Sequence, residues 1–268
     1  MGRTIRIGAL ISGTGTNMQA IMDSCESGKI NGKIVFVGSD IPNARGLEKG
    51  TRLGIPTFVV DYGSIIRNFK KDPATVASPD DFDLNDLSSK QTFFTAHADS
   101  EKVKAFIITR AVAEAKLIDE MKHYPFDLLV LAGYMRNLSP YFIDRVNADS
   151  DIPRIMNIHP ALLPSFPGVD GYGDTFRYGC KIGGCTVHFV DYGEDSGPII
   201  GQKAYKILED DTIDSIRAKG LKLEWALFPE CVKLFAERRL KTVCRSYELK
   251  DGRKMQRTIV KILPSPEP

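Results

Sequence analysis

An amide and an imidazole stand one residue apart at the end of an apolar run in the middle of the chain. Asn157 and His159 follow the run that begins at Ile155, and Pro160 comes directly after them. Alternate side chains of an extended segment point to the same side, so the two groups converge. Such a pair can stabilise an oxyanion and shuttle a proton. The alternative is a histidine that is hydrogen-bonded for structure alone.

A loop rich in carboxylates follows the alternating segment 186–190. It carries Asp191, Glu194 and Asp195. Any one of them could approach the imidazole described above and raise its pKa, and the residue types leave the choice open. His188 lies between apolar neighbours inside the alternating segment, which favours a structural role for it.

A glycine-containing loop joins the first apolar run to the first helical pattern. The run Ile5 to Ile11 is followed by Gly13, Gly15 and Asn17, and a helical period begins at Met18. Backbone amides at such a helix start can hold a phosphate. The loop lacks the third glycine of a dinucleotide fingerprint and the Gly-Lys-Ser/Thr of a P-loop. A tight turn without a ligand is therefore the alternative.

The elements that must position these residues follow an alternating pattern. Short β-branched runs alternate with helical periods, which predicts βαβ units and a parallel sheet. We expect an α/β fold with a doubly wound, mostly parallel, Rossmann-like sheet that places ligands at the carboxyl ends of its strands. The predicted strands are 5–11, 34–37, 56–60, 128–131 and 155–158, and the predicted helices include 48–53 and 111–121.

We interpret residues 1–268 as a single domain with two irregular parts. The stretch at about 61–105 has little periodicity and is too long for an ordinary loop, so we interpret it as an insertion with a short helix near 100–106 that contacts the active-site cleft. Two β-like runs around residues 250–252 predict a C-terminal β-hairpin extension. The proline-rich end, 264–268, is expected to be frayed.

Composition excludes several classes of function. The 268 residues are 43% hydrophobic and 26% charged, with a net charge of +2, which indicates a globular protein without affinity for nucleic acid or acidic membranes. No apolar run approaches the roughly 20 residues of a membrane span, so a cytoplasmic protein is expected. The five cysteines are irregularly spaced and predict reduced thiols. No second pair accompanies Cys180 and Cys185, so we expect no metal site.

Taken in order, several blocks resemble one enzyme family. The blocks are Ile11 to Asn17, Leu131 to Arg136, Asn157 to Pro160, Leu162 to Pro164, Phe166 to Gly168, His188 to Val190 and Asp195 to Pro198. Their order and spacing, apart from the stretch 61–105, resemble phosphoribosylglycinamide formyltransferase, within the superfamily that uses 10-formyltetrahydrofolate. The resemblance runs from about residue 5 to residue 252.

The resemblance implies 10-formyltetrahydrofolate as co-substrate and a small, phosphate-bearing amine as acceptor. Asn157 and His159 would bind the formyl oxygen and stabilise the tetrahedral intermediate, while Asp195 would keep His159 cationic and help relay the proton. The residues implied for the folate pocket are Arg110 at its entrance, Met135, Arg136, Asn137, Leu138, Val190, Asp191, Tyr192 and Gly193. Those implied for the acceptor are Gly15, Thr16 and Asn17 at the phosphate, Glu224 near the ribose, and Asp170.

The departures from the family pattern fall on the acceptor side. A histidine that meets the substrate is usual where this chain has Asp170. Residues 171–179 are rich in glycine and aromatic residues, unlike the helical Gln-Ala run of the family. Some members carry a lysine for the phosphate where this chain has Leu221. The resemblance makes transfer to phosphoribosylglycinamide in purine biosynthesis the leading hypothesis. These departures make transfer to another amine the alternative.

Three further functions are alternatives to formyl transfer. A 10-formyltetrahydrofolate hydrolase typically carries an additional N-terminal domain, whereas this chain starts directly at its first strand. A methionyl-tRNA formyltransferase would bring a larger basic C-terminal domain than this length accommodates. A folate- or nucleotide-binding module without catalysis is the non-enzymatic alternative. A monomer and a homodimer are both compatible with the sequence.

Overall fold

One mixed sheet lies at the centre of the fold. The structure, a computed structural model, describes residues 3–94 and 98–265. The strands found in them for this sheet are β1 (Ile5–Ile11), β2 (Gly32–Ser39), β3 (Thr57–Val59), β4 (Leu128–Leu131), β5 (Ile155–His159), β6 (Ile182–Phe189) and β7 (Ile199–Lys206). They lie in the order β3-β2-β1-β4-β5-β6-β7, parallel from β3 to β5, while β6 pairs antiparallel with β5 and β7. The predicted mostly parallel sheet is confirmed, although the sequence analysis did not assign β7.

Helices cover both faces of the sheet, which confirms the doubly wound class. They are α1 (Thr16–Glu26), α2 (Arg45–Arg52), α3 (Tyr62–Lys71), α4 (Leu84–Lys90), α5 (Ser100–Met121), α6 (Pro140–Asn147), α7 (Gly171–Arg177) and α8 (Ile213–Ala236). The apolar core on one face includes residues of α1 and α8, and that on the other includes residues of α3, α5 and α6. Alternate residues of β4 face the two cores, which is why this strand is apolar throughout.

The stretch 61–105 contains more helix than the sequence analysis predicted. The helix predicted near 100–106 is present, but it is not a separate short helix: residues 100–106 are the first part of the long α5, and α3, a 3₁₀ turn at Pro73–Thr75 and α4 precede it. Asp61, Asp83 and Asp99 each accept a backbone N–H in the first turn of the helix that follows. An aspartate at this position satisfies N–H groups that have no partner within the helix. These three aspartates were the available sequence signal.

The C-terminal hairpin is present as predicted. Strands β8 (Leu240–Glu248) and β9 (Lys254–Ile262) pair antiparallel in a sheet of their own. Gly252 lies in the turn with φ +81°, a conformation that glycine adopts without strain. Val260 packs against the main core, so the hairpin is attached through its base. Of the predicted frayed tail, residues 266–268 lie outside the described residues.

A buried carboxylate on α5 fixes the start of α6. Glu114 is fully buried and accepts hydrogen bonds from the backbone N–H of Ser139, at 2.7 Å, and from its hydroxyl. Burial raises the pKa of Glu114 to about 7, against the opposing effect of the Ser139 hydrogen bonds. Because Ser139 directly follows the segment 133–138, this contact anchors the end of that segment.

Glu114→Ala is expected to lower the free energy of unfolding by roughly 2–4 kcal/mol, because it leaves two buried donors of Ser139 unpaired and opens a cavity. Glu114→Gln keeps an oxygen for the Ser139 amide and should lose clearly less. Urea denaturation of the two variants and the wild type measures the difference. Equal losses would contradict a role based on these hydrogen bonds.

Candidate active site

A cavity opens at the carboxyl ends of β4 and β5, where open α/β sheets bind their ligands. Its walls come from segment 133–138 after β4, the end of β5 with Pro160, the turn at 168–169 and residues of segment 190–195 after β6. Asn157, His159 and Asp195 all belong to this lining. The structure therefore brings the three predicted catalytic residues together.

Both ring nitrogens of His159 face acceptors. Nδ1 lies 3.1 Å from Oδ2 of Asp195, and Nε2 lies 2.7 Å from the carbonyl oxygen of Phe166. Only an imidazolium can donate from both nitrogens at once. Burial lowers the pKa of His159, but the hydrogen bond and charge of Asp195, with the Phe166 carbonyl, outweigh burial and raise that pKa above its ordinary value of 6.5. The site therefore favours the cationic form of His159.

Asp195 is held as a carboxylate by several donors. Its Oδ2 accepts the backbone N–H of Gly168 at 2.8 Å, and its Oδ1 lies 3.4 Å from Nδ2 of Asn157. Burial raises the pKa of Asp195, yet hydrogen bonds, foremost that of His159, lower it well below 3.8. Its backbone has φ +49°, a conformation that a non-glycine residue keeps only where its surroundings hold it. The carboxylate is thus fixed against the imidazole.

Asn157 is oriented by a second histidine. Asn157 and His188 are paired across β5 and β6, and Nδ2 of Asn157 lies 3.2 Å from Nε2 of His188. Nδ1 of His188 lies 2.9 Å from the carbonyl oxygen of Phe189, and Nε2 also lies 3.5 Å from Oδ1 of Asp195. In the tautomer that donates from Nδ1 to Phe189, Nε2 accepts from Asn157. His188, for which the sequence favoured a structural role, therefore lies in the site and supports the amide.

Polar contacts fix the segment that forms one wall of the cavity. The hydroxyl of Ser12 donates to Asp40 at 2.5 Å and accepts the backbone N–H of Met135 at 2.8 Å. The guanidinium of Arg136 donates to the other oxygen of Asp40 at 2.5 Å. Because Asp40 is buried, these contacts tie the loops after β1, β2 and β4 into one rigid wall.

Most residues implied for the folate pocket line the cavity, and two do not. Those in the lining are Met135, Arg136, Asn137, Leu138, Val190, Asp191 and Gly193. Arg110 is buried and does not line the cavity; its guanidinium lies 4.9 Å from the Phe106 ring centre and 5.3 Å from that of Tyr62. Tyr192 points away and donates its hydroxyl to Asp144. Phe93, which the sequence analysis did not single out, also lines the cavity.

Two of the residues implied for the acceptor, Asn17 and Glu224, meet in a separate buried cluster. Gly15 precedes α1 with φ +65°, and Asn17 in the first turn of α1 donates its amide to Oε2 of Glu224 at 2.6 Å. The hydroxyl of Tyr172 donates to the other oxygen of Glu224. The charge of Glu224 adds a small part to the raised pKa of His159, after the larger effects of Asp195 and the Phe166 carbonyl.

Asp170 does not belong to either group. Its carboxylate accepts the backbone N–H of Gly173 at 3.2 Å and pairs with Arg177 at 2.7 Å, so it caps α7. Residues 171–179 differ from the family's Gln-Ala run in composition, yet α7 spans most of them. Close packing favours glycine at position 171, where a Cβ would lie 3.0 Å from the carbonyl oxygen of Pro160. The cap and this close packing explain why a glycine-rich segment is helical here.

Other candidate features of the sequence were compared with the structure. All five cysteines are free thiols. Within residues 3–94 and 98–265, no three His, Cys, Asp or Glu side chains come together in a way that could hold a metal ion. The helices of the same residues include none that combines the length and apolar character needed to cross a membrane.

Comparison with known proteins identifies the family. Residues 5–232 match the model of the formyl transferase family. Phosphoribosylglycinamide formyltransferase of Escherichia coli is 32% identical over 237 residues, which cover 88% of this chain and 90% of that protein. The trifunctional purine biosynthetic protein adenosine-3 of Drosophila melanogaster is also 32% identical, and the match spans 14% of its length. The crystal structure of glycinamide ribonucleotide transformylase 1 from Symbiobacterium toebii aligns with a TM-score of 0.70 and 35% identity, covering 98% of this chain and 96% of that one.

The chain therefore belongs to the formyl transferase family, and it is an enzyme of the folate-dependent formyltransferase class. Within that class, the relatives confirm the predicted resemblance to phosphoribosylglycinamide formyltransferase.

Proposed function

We propose that this enzyme transfers the formyl group of 10-formyltetrahydrofolate to the amine of phosphoribosylglycinamide, a step of purine biosynthesis, in the cytoplasm. The observation that carries the proposal is the position of His159 between Asp195 and the Phe166 carbonyl, beside the amide of Asn157 in one cavity. The relatives that act on phosphoribosylglycinamide by name support this acceptor over another amine.

The arrangement supports attack by an amine on the formyl carbon. A new C–N bond forms, and negative charge develops on the formyl oxygen. Donation from Asn157 and the nearby positive charge of His159 stabilise that charge. Of the two contacts of the Asn157 amide nitrogen, the one to Asp195 is the longer, at 3.4 Å, and therefore the weaker. A formyl oxygen can replace Asp195 as the acceptor of this N–H at the least cost. The bond between the formyl carbon and folate N10 then breaks: the His159 imidazolium gives a proton to N10, and the neutral ring, held by Asp195, takes up the proton that the attacking amine loses.

The cavity fits the folate in chemistry as well as position. Leu131, Leu138, Ile158 and Val190 supply apolar surface, and the segments at 133–138 and 190–195 supply backbone donors and acceptors. Apolar walls with a few placed polar groups suit a flat heterocycle. Met135, Arg136, Asn137, Asp191 and Gly193 would complete the pocket. We retain Arg110, whose Nε and Nη1 have no hydrogen-bond partner among the described residues, as a residue near the pocket entrance.

The acceptor would bind between the catalytic residues and the start of α1. Gly15, Thr16 and Asn17 would hold its phosphate at the helix N-terminus, where backbone N–H groups lack partners within the helix. Glu224 would receive hydroxyl groups of its ribose. We do not assign Asp170 to direct contact with the acceptor, because its carboxylate caps α7 and pairs with Arg177.

A steady-state assay with 10-formyltetrahydrofolate and a panel of amines tests the proposal. We expect formylation of phosphoribosylglycinamide with release of tetrahydrofolate, and no release when the amine is omitted. Release of formate without an amine would support a hydrolase instead. Formylation of a different amine alone would contradict the proposed acceptor, and folate binding without turnover would contradict catalysis.

A further inference from the structure

Tyr172 connects α7 to the buried carboxylate of α8. Its side chain is 8% exposed, and its hydroxyl donates to Oε1 of Glu224, which is 4% exposed. Gly220, one turn before Glu224 on the same helix, makes room for the ring: a Cβ there would lie 2.2 Å from a ring carbon and 2.5 Å from the hydroxyl oxygen. The phenol therefore lies directly on α8, and its position depends on the absence of a side chain at residue 220.

Asn17 holds the other side of the same carboxylate. Its amide nitrogen donates to Oε2 of Glu224 at 2.6 Å, while its own Oδ1 is buried and has no hydrogen-bond partner among the described residues. Asn17 is only 7% exposed. A buried acceptor without a donor is costly, so Oδ1 indicates a ligand that brings a hydroxyl or amine hydrogen to this cluster. A carboxylate with one donor on each oxygen still has lone pairs for further hydroxyl groups.

We propose that Tyr172 is a positioning residue for the acceptor, because its hydroxyl fixes the Glu224 carboxylate in the orientation that receives acceptor hydroxyl groups. This inference rests on the proposed function. Tyr172 does not line the folate cavity and does not contact Asn157, His159 or Asp195 through any hydrogen bond of the described residues. Its removal should therefore weaken acceptor binding and leave folate binding and the chemical step unchanged.

Tyr172→Phe is expected to raise the KM for phosphoribosylglycinamide about tenfold, the loss of one hydrogen bond to a charged group. The KM for 10-formyltetrahydrofolate and kcat should stay within about twofold of the wild type. The matched control is Tyr205→Phe, because the Tyr205 hydroxyl is also buried but has no partner among the described residues. This control should leave all three constants unchanged.

Gly220→Ala gives an independent test, because it displaces the phenol without removing the hydroxyl. Alone it should also raise the KM for the acceptor. Added to Tyr172→Phe it should raise that KM little further, since the hydrogen bond it disturbs is already absent. Additive effects of the two changes on the acceptor KM would contradict the proposal. A variant with lower kcat, higher KM for both substrates and lower thermal stability would also contradict it.

Failure of the proposed function and failure of the Tyr172 role give different experimental results. No turnover of phosphoribosylglycinamide by the wild type would contradict the proposed function and this role with it. Normal turnover by the wild type together with an unchanged acceptor KM in Tyr172→Phe would contradict the role of Tyr172 alone.

Discussion

Replacing Asn157 by alanine is expected to lower kcat by roughly 10²–10³, equivalent to about 2.7–4 kcal/mol of transition-state stabilisation. The reason is that Nδ2 of Asn157 is held by His188 at 3.2 Å and so presents a preoriented donor to the formyl oxygen. The donor matters most when negative charge develops, so the KM for either substrate should change much less than kcat. Steady-state kinetics with saturating folate and amine measures the effect.

The comparison needs a variant with the same chemical change elsewhere. Asn68→Ala removes an identical side chain from an exposed position on α3 and should leave kcat as in the wild type. Unaltered turnover in Asn157→Ala would contradict the catalytic proposal and favour a binding module. A loss confined to the KM for the folate would assign Asn157 to binding alone.

The central pair of the site could be predicted because it depends on local geometry. Asn157 and His159 lie on one short strand, where the alternation of side chains is fixed by the backbone. The choice of Asp195 over Asp191 and Glu194 could not be made in this way. It depends on a loop whose backbone has φ +49° at Asp195 and on the Gly168 N–H, which is 27 residues away in sequence. Only the resemblance selected the residue that the structure places against His159.

Contacts between distant elements account for what the sequence analysis missed. The sequence around His188 indicates only a residue in an apolar strand. The pairing of β6 with β5 places it opposite Asn157. The hydrogen bond from Tyr172 to Glu224 joins residues 52 positions apart, and it depends on the packing of α7 against a glycine of α8. The fold class was predictable from periodicity, whereas these pairings follow from tertiary packing that no local pattern encodes.

Asp195→Asn is expected to lower kcat by roughly 10²–10⁴ near neutral pH, the usual contribution of a placed acid–base group. Burial lowers the pKa of His159, and the charge and hydrogen bond of Asp195 are the main factors that outweigh burial. Without the carboxylate, burial dominates and the pKa falls. A reaction that needs the cation loses activity as pH rises through that pKa, so the basic limb of the rate profile should move to lower pH. The loss should therefore be larger at pH 8 than at pH 6.

The same substitution should change how stability depends on pH. The folded-state pKa of Asp195 lies below its ordinary 3.8, so its contribution is present above that pH and is lost as pH falls through the folded value. The pKa of His159 lies above 6.5, so its contribution is present below that pH and is lost as pH rises through the folded value. Asp195 and His159 together therefore stabilise the fold most between pH 3.8 and pH 6.5, where both contributions are present. Denaturant titrations of Asp195→Asn and the wild type should differ most in that window, and Asp210→Asn, at an exposed site, should show no such maximum. A difference that is independent of pH would mean that Asp195 acts through packing, and that the charge of His159 does not depend on it.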